Sequence, residues 1–191
     1  MKQRLVLVTA AILLAACSST TPKTHYYTLS AENPTAVSSS HAASSVIVGP
    51  VHLPELLDQP RLVVRNSNNQ VAMDEFHRWA GSLKGNIASV LVSNLAQDLG
   101  TAKVWSYAQS TRSQADYQVL IDIQAFDAHP GERVELVALW TIRAATGGKP
   151  QTGRSVVREA VAGPGFEALV AAHSRALAKL SSDIAQAIRQ G

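Results

Sequence analysis

Residues 117–144, YQVLIDIQAFDAHPGERVELVALWTIRA, carry the clearest structural pattern in the chain. Apolar and polar residues alternate from Tyr117 to Asp127, which predicts a β-strand with one buried face. Pro130 and Gly131 then predict a turn into a second strand, Arg133 to Ala144. A third strand, Arg154 to Val161, follows the turn residues of Thr146 to Lys149. The residues predicted to share one face of the first strand are Tyr117, Val119, Ile121, Ile123 and Ala125.

Two helices are predicted around this strand run. The first spans the apolar stripe from Leu83 to Leu99, where leucine, isoleucine and valine recur every three or four residues, and Gly100 predicts its end. The second follows Gly163-Pro164-Gly165 and is long. One face of this last helix is formed by Phe166, Leu169, Val170, His173, Leu177, Leu180 and Ile184.

Shorter strands are predicted upstream and between the helices, at His25–Leu29, Ser45–Val51, Arg61–Arg65, Gln70–Met73 and Lys103–Tyr107. The third and fourth form a hairpin through Asn66–Asn69. Runs of strands separated by helices favour an α+β fold. We therefore expect a single domain over residues 25–191, with a mixed or antiparallel sheet of about six or seven strands covered by two long helices.

The N-terminus has the pattern of a lipoprotein export signal. Lys2 and Arg4 precede an apolar run from Leu5 to Ala16, which is too short to span a bilayer. The run ends in Leu14-Ala15-Ala16-Cys17, small residues followed by the cysteine that lipoprotein maturation acylates. This predicts a signal peptide at residues 1–16 and a lipidated Cys17. The alternative is an ordinary secreted protein with a chance cysteine at its cleavage site.

The predicted anchor fixes the expected location. Cys17 is the only cysteine, so no internal disulfide can form. Ser18 stands where aspartate would signal inner-membrane retention in enteric bacteria. We therefore expect attachment to the inner leaflet of the outer membrane, facing the periplasm. The polar tether that ends at residue 24 reaches roughly 23 Å when extended, at about 3.3 Å per residue.

Composition offers little support for nucleic-acid binding. The formal net charge is +3. It falls to +1 without Lys2 and Arg4, because 17 − 2 = 15 basic residues then face 14 acidic ones. The sequence contains no basic run typical of a nucleic-acid surface.

Residues suited to catalysis or metal binding are not grouped in the sequence. The six histidines are scattered and no cysteine pair exists, so we predict no metal site, no cofactor and no catalytic residue. Asp122 and Asp127 are expected on opposite strand faces, and Asp74 and Glu75 in front of a helix. A site assembled from distant segments is left open, and with it an envelope hydrolase.

Two segments are candidates for a partner interface. Residues 49–61 contain three prolines, which stiffen the backbone. Residues 76–83 carry aromatic side chains just before the first helix, where they suit either the core or a protein interface. The candidate interface residues are Pro50, Leu53, Pro54, Leu56, Leu57, Pro60, Phe76 and Trp79.

Taken together, the motifs resemble the auxiliary lipoprotein family of ABC-type intermembrane transport systems, which includes paraquat-inducible lipoproteins. The resemblance is carried by the cysteine box at 14–17 and by Tyr26-Tyr27-Thr28-Leu29. Further matching stretches are 48–51, 53–60, 65–69, 76–79, 117–126 and Leu139-Trp140.

This resemblance implies a role rather than a reaction. Members work with a permease, an ATPase and MCE-domain proteins that carry lipids between two membranes, and ring-shaped homo-oligomers are expected. It implies a non-enzymatic subunit at the outer-membrane end of the path. The second hypothesis is a solitary envelope lipoprotein that binds a lipid or another hydrophobic ligand.

Overall fold

The protein is described by a computed structural model at residues 22–32, 36, 44–109 and 115–190. The predicted signal peptide, Cys17 and the first part of the tether lie outside the described residues. So does most of the loop predicted between the first two strands.

Eight strands and two long helices make up the described chain. They are β1 (His25–Tyr27), β2 (Val46–His52), β3 (Arg61–Ser67), β4 (Gln70–Trp79), α1 (Leu83–Leu99), β5 (Val104–Ser106), β6 (Tyr117–His129), β7 (Arg133–Ala144), β8 (Gln151–Ala160) and α2 (Gly165–Gln190). A single 3-10 turn, Tyr107–Gln109, follows β5. The bounds of α1 and β7 are those predicted from the sequence. Ser82 caps α1 by accepting a hydrogen bond from the backbone N–H of Gly85, and Gly100 ends the helix in the left-handed conformation.

The strands form two mixed sheets, which confirms the α+β class and corrects the expectation of one sheet with six or seven strands. The larger sheet has the order β5-β2-β6-β7-β8, and the smaller has the order β1-β4-β3. β2 runs parallel to β5 and β6, and β1 runs parallel to β4. Alternation within a strand identifies its buried face but not its partner, so the sequence did not reveal this division.

A one-residue bulge in β6 changes which residues face the core. Ile123 pairs with Ala138 and Ala125 pairs with Val137, which leaves Gln124 as the extra residue. After it the buried residues are Phe126 and Ala128 instead of the expected Ala125. Asp122 and Asp127 are both out of phase with the buried positions of β6. Their predicted placement on opposite faces is therefore wrong.

Asp74 lies within β4, beside a shift in the strand pairing, and does not precede a helix as expected. The pairing with β3 shifts between Met73 and Arg78. There the Asp74 carboxylate accepts hydrogen bonds from the backbone N–H groups of Phe76 and His77 and lies 2.7 Å from His77 Nδ1. Burial alone would raise the pKa of Asp74, but these hydrogen bonds hold it below its usual value. The carboxylate replaces ladder hydrogen bonds, so β4 continues to Trp79.

Both helices lie against the larger sheet and enclose one hydrophobic core. α1 contacts β2 and β5, whereas α2 contacts β6, β7, β8 and α1. Two polar residues on the inner side of α1 fix the chain that follows β1. Asn86 accepts a hydrogen bond from the Leu29 N–H at 2.6 Å, and Asn94 accepts one from the Glu32 N–H at 3.2 Å. Because asparagine interrupts an apolar stripe, the helix pattern did not reveal this role.

His173 lies in the core of the protein. It is 2% exposed and makes edge contacts with the rings of Trp79 and Phe126. Its Nδ1 lies 2.9 Å from the carbonyl oxygen of Leu169. Burial lowers the pKa of His173 to about 4, although hydrogen bonds to backbone groups of Leu169 and Phe126 oppose the shift. The neutral imidazole is therefore the form that packs in the native state.

We expect acidification to destabilise the fold through His173. Between the ordinary pKa of 6.5 and the folded value of about 4, the unfolded chain binds a proton that the native chain does not. The free energy of unfolding therefore decreases as the pH is lowered through this window, by roughly 3 kcal/mol in total at about 1.4 kcal/mol per pKa unit. His173→Gln should flatten the dependence in urea unfolding across this range, whereas His52→Gln, at an exposed histidine, should not. An unchanged slope in His173→Gln would contradict the assignment.

Candidate functional site

A proline interrupts β2 and shapes the surface beside it. Proline has no N–H for a ladder hydrogen bond, and the pairing of β2 with β6 is broken between Val48 and Val51. The Gly49–Pro50 peptide bond is cis. Gly49 has φ of 111°, and a Cβ atom there would lie 3.2 Å from the Cβ of Tyr107. The Gln118 side chain donates to the freed carbonyl oxygen of Gly49 at 3.2 Å.

A groove of about 510 Å³ opens next to this interruption. Three segments line it: residues 48–51 of β2, the first two turns of α1, and residues 106–109. Small side chains on α1, such as Ala88 and Ser89, leave the space open, and Tyr107 is 55% exposed at its edge. The groove has the size of a ligand or peptide-anchor site.

The proline-rich segment after β2 lies at the same end of α1. The N–H groups of Leu57 and Asp58 donate to the Pro54 carbonyl, which closes a tight turn. Asp58 forms an ion pair with Lys84 of α1 at 2.7 Å. A second cleft, of about 350 Å³, lies between residues 58–60 and 79–83. We call the combined area the Pro50 surface; it comprises Gly49–Pro50, residues 53–56 and 58–60, the groove-lining residues among 82–89, and residues 107–109.

The structure divides the eight predicted interface residues into three groups. Pro50, Leu53, Pro54, Leu56 and Pro60 lie in the Pro50 surface, and Leu56 is 38% exposed. Leu57 and Trp79 are 7% and 6% exposed, so their side chains belong to the core. Phe76 is half-buried in the irregular part of β4 and lines neither cleft. Tyr107 was missed, because a lone tyrosine after a short strand has no sequence signal.

Contacts with distant parts of the chain bury Trp79, and the local sequence does not reveal them. Trp79 ends β4, and its backbone N–H donates to the Pro60 carbonyl at 2.8 Å. Its ring meets His173 of α2, about a hundred residues later in the chain. Contacts of such sequence separation are not visible in a local pattern of aromatic and polar residues. The core alternative stated for the aromatic segment therefore applies to Trp79.

Glu159, Ser155 and Asp183 make contacts between α2 and the larger sheet. Glu159 is buried between Arg175 and Lys179 of α2. Burial alone would raise the pKa of Glu159, but its two cationic partners hold it below its usual value. Ser155 links the Trp140 indole N–H to the Asp183 carboxylate. Within the described ranges, no three histidine, cysteine, aspartate or glutamate side chains are grouped as metal ligands.

The described part of the chain contains no helix with both the length and the apolar character needed to cross a membrane.

Comparison with known protein families decides the family of the chain. The sequence profile of the ABC-type transport auxiliary lipoprotein component family matches residues 27–185. The chain belongs to this family. The match confirms the resemblance inferred from the motifs and covers nearly all of the described fold. Membership makes the chain a lipoprotein associated with an ABC-type transport system.

Two solved structures share the fold of this family member at low sequence identity. A crystal structure of an uncharacterised protein is 19% identical, with a TM-score of 0.71, over 87% of this chain and 99% of the other. The DUF330 protein XCC0632 from Xanthomonas campestris is 15% identical, with a TM-score of 0.68, over the same shares. A variant PelC dodecamer from Paraburkholderia phytofirmans is 12% identical, with a TM-score of 0.46, over 78% and 92%. A search of curated sequences finds no significant match.

Proposed function

We propose that the chain is a non-enzymatic subunit of an MCE-type intermembrane lipid transport system, anchored by acylated Cys17 to the inner leaflet of the outer membrane. The observation that carries this proposal is the family match over residues 27–185. In this proposal residues 25–191 form one periplasmic domain behind a short tether. The domain docks a periplasmic MCE-domain protein, whose permease and ATPase supply the transport energy from the inner membrane.

The Pro50 surface is the proposed contact with that partner. It combines an exposed aromatic ring, Tyr107, with Leu56 and with a stiff backbone around Pro50 and Pro54. Rigid apolar anchors beside a preformed groove lose little conformational entropy on binding, which favours protein interfaces. The Lys84–Asp58 ion pair joins the loop to α1, so the two sides of the surface are presented as a unit.

The size and lining of the groove support a second candidate function, a solitary lipoprotein that binds a lipid or another hydrophobe. Most of the groove is lined by apolar or small side chains, and its volume of about 510 Å³ lies in the range of small-molecule sites. A gene without MCE-domain, permease and ATPase neighbours, together with lipid copurifying with a monomer, would favour this function over the transport subunit.

Affinity purification of the tagged lipoprotein from membranes, followed by mass spectrometry, distinguishes the two functions. Recovery of an MCE-domain protein supports the transport subunit. Its absence after mild crosslinking, with lipid bound to the monomer, supports the solitary binding protein. The intact acylated protein is used, so that tethering and partner binding are tested together.

We expect the double substitution Leu56→Ser and Tyr107→Ser to reduce recovery of the MCE-domain partner roughly tenfold or more. Removing a central aromatic anchor of an interface typically costs about 2 kcal/mol or more of binding energy. The side chains are exposed, so the melting temperature should change little. The measurement is the amount of partner recovered at equal expression.

The matched control is Leu139→Ser with Val156→Ser. These side chains, 39% and 53% exposed, match Leu56 and Tyr107 in exposure but lie on β7 and β8. Partner recovery with the control should equal that of the wild type. If both pairs reduce recovery equally, or neither does, the Pro50 surface is not the docking site.

A further inference from the structure

The smaller sheet places two arginines and an exposed tyrosine in one row. Tyr26 of β1 is in register with Arg78 of β4, and Arg78 is in register with Arg61 of β3. Side chains in register on neighbouring strands lie on the same face of a sheet. Tyr26 is 65% exposed, the highest value among the large hydrophobic residues of the described chain.

Among the residues that the structure describes, the two arginines of this row have no acidic partner. None of the ion pairs formed within the described residues includes Arg61 or Arg78, and the one hydrogen bond seen for Arg78 goes from Nε to the backbone carbonyl of Glu75. Like charges directly opposite each other on paired strands are destabilising. An anion between or above the two guanidinium groups would remove this repulsion, and arginine suits phosphate oxygens.

The opposite face of β1 is held firmly against the rest of the protein. His25 stacks on His77 with ring centroids 5.4 Å apart, and His77 stacks on Phe166 of α2 at 3.8 Å. The hydrogen bond of His77 to Asp74 fixes the central ring of this stack. The row of Tyr26, Arg78 and Arg61 is therefore presented by a supported sheet.

The row also lies at the start of the folded chain. Tyr26 follows Cys17 by 26 − 17 = 9 residues. Even when fully extended, nine residues span only about 30 Å. Lys23, which is exposed, adds a positive charge to the intervening segment. An acyl anchor on Cys17 thus keeps this face within a short distance of the headgroup layer.

We propose that the row of Tyr26, Arg78 and Arg61 binds the phosphates of anionic phospholipid headgroups in the leaflet that holds the anchor. This inference rests on the acylated Cys17 of the proposed function. Arginines bind the phosphates, and the tyrosine ring lies at the level of the headgroups, where aromatic side chains partition. The contact gives the domain a fixed orientation on the membrane.

In the test, the photocrosslinking amino acid p-benzoylphenylalanine replaces Tyr26 in the acylated lipoprotein. The protein is reconstituted into vesicles of phosphatidylcholine with or without about one third phosphatidylglycerol. After irradiation, lipid adducts are measured by mass spectrometry. We expect adducts mainly in the phosphatidylglycerol vesicles, and a loss of adducts at high salt, because each arginine near an anionic surface contributes an electrostatic attraction that salt screens.

Arg61→Gln with Arg78→Gln should lower the adduct yield roughly tenfold to thirtyfold, the effect of losing two surface arginines at about a factor of five each. Arg143→Gln with Arg154→Gln removes the same charge from exposed positions on β7 and β8 and should leave the yield unchanged. Arg61→Lys with Arg78→Lys keeps the charge and should keep most of the adducts. Comparable melting temperatures of the pairs show that folding is intact.

Vesicle flotation separates the failure of this inference from failure of the anchor. If acylated protein floats with the vesicles but the adduct yield is the same in all variants, or the same in both lipid mixtures, the headgroup contact is overturned and the anchor stands. If the protein fails to float, the anchoring itself is wrong, and the headgroup contact that rests on it is overturned as well.

Discussion

Cys17→Ala is expected to abolish acylation and to remove the protein from the outer membrane while leaving the folded domain intact. One acyl chain gives an association constant of only about 10⁴ M⁻¹, so stable attachment depends on having two or more chains. Losing all of them should lower membrane affinity by roughly four orders of magnitude or more. The core begins at Leu29 in the described chain, so its melting temperature should not change. Labelled palmitate incorporation and membrane fractionation measure the effect.

Ser18→Asp is the matched control for Cys17→Ala. It keeps the acylated cysteine but introduces the residue that retains lipoproteins at the inner membrane in enteric bacteria. We expect normal palmitate labelling with a shift from outer-membrane to inner-membrane fractions. Continued labelling or outer-membrane residence of Cys17→Ala would refute the anchor, as would restoration of envelope integrity by its soluble form.

Gly153→Ala is expected to destabilise the protein by roughly 3 kcal/mol, the largest effect we expect from a single methyl group. A Cβ atom at position 153 would overlap Cζ2 of the Trp140 ring. The two residues are paired across β7 and β8, and the indole ring covers the glycine. Trp140 is only 8% exposed, and its N–H donates to Ser155 Oγ at 3.1 Å. The ring must therefore leave its packed position, at an overpacking cost of about 1–3 kcal/mol plus a buried hydrogen bond.

Urea unfolding of Gly153→Ala and of Gly81→Ala measures this effect. A Cβ atom at Gly81 meets nothing within 4 Å, so its substitution should change stability by less than about 0.5 kcal/mol. In a Trp140→Ala background, Gly153→Ala should become nearly neutral, because the ring that it displaces is absent. Equal costs with and without Trp140 would show that the indole contact is not the cause.

Local sequence patterns predicted most secondary-structure elements. The bounds of two elements were predicted correctly, those of the helix Leu83–Leu99 and of the strand Arg133–Ala144. Each is a long segment in which apolar residues recur at a constant spacing. The strand ending in Trp79 was predicted too short. The pairing of β3 with β4 shifts near Asp74, whose carboxylate accepts the backbone hydrogen bonds there, and the alternation of apolar and polar residues does not reveal such a shift. The sequence also did not reveal which residues of β6 are buried after Gln124. The bulge there exchanges the buried and exposed positions of the strand without changing its composition.

The candidate site was predicted only in part. Prolines and leucines at residues 50–60 indicated a segment of which parts line the groove and the second cleft, because proline restricts the backbone wherever the chain runs. The groove also needs α1 and Tyr107, which no spacing connects to Pro50. Trp79 was a candidate for either the core or an interface, and it lies in the core, where its ring contacts His173 of α2.

The sequence by itself determined the α+β class, the two helices and the strands of the large hairpins, and it predicts a lipoprotein signal in front of Cys17. These features are encoded in neighbouring residues, through hydrophobic period, turn residues and a contiguous motif. Only the tertiary structure decided the division into two sheets, the packing of Trp140 over Gly153, and the alignment of Tyr26 with Arg78 and Arg61. These features depend on which strands pair and in which register, and pairing is a property of distant segments whose local patterns are alike.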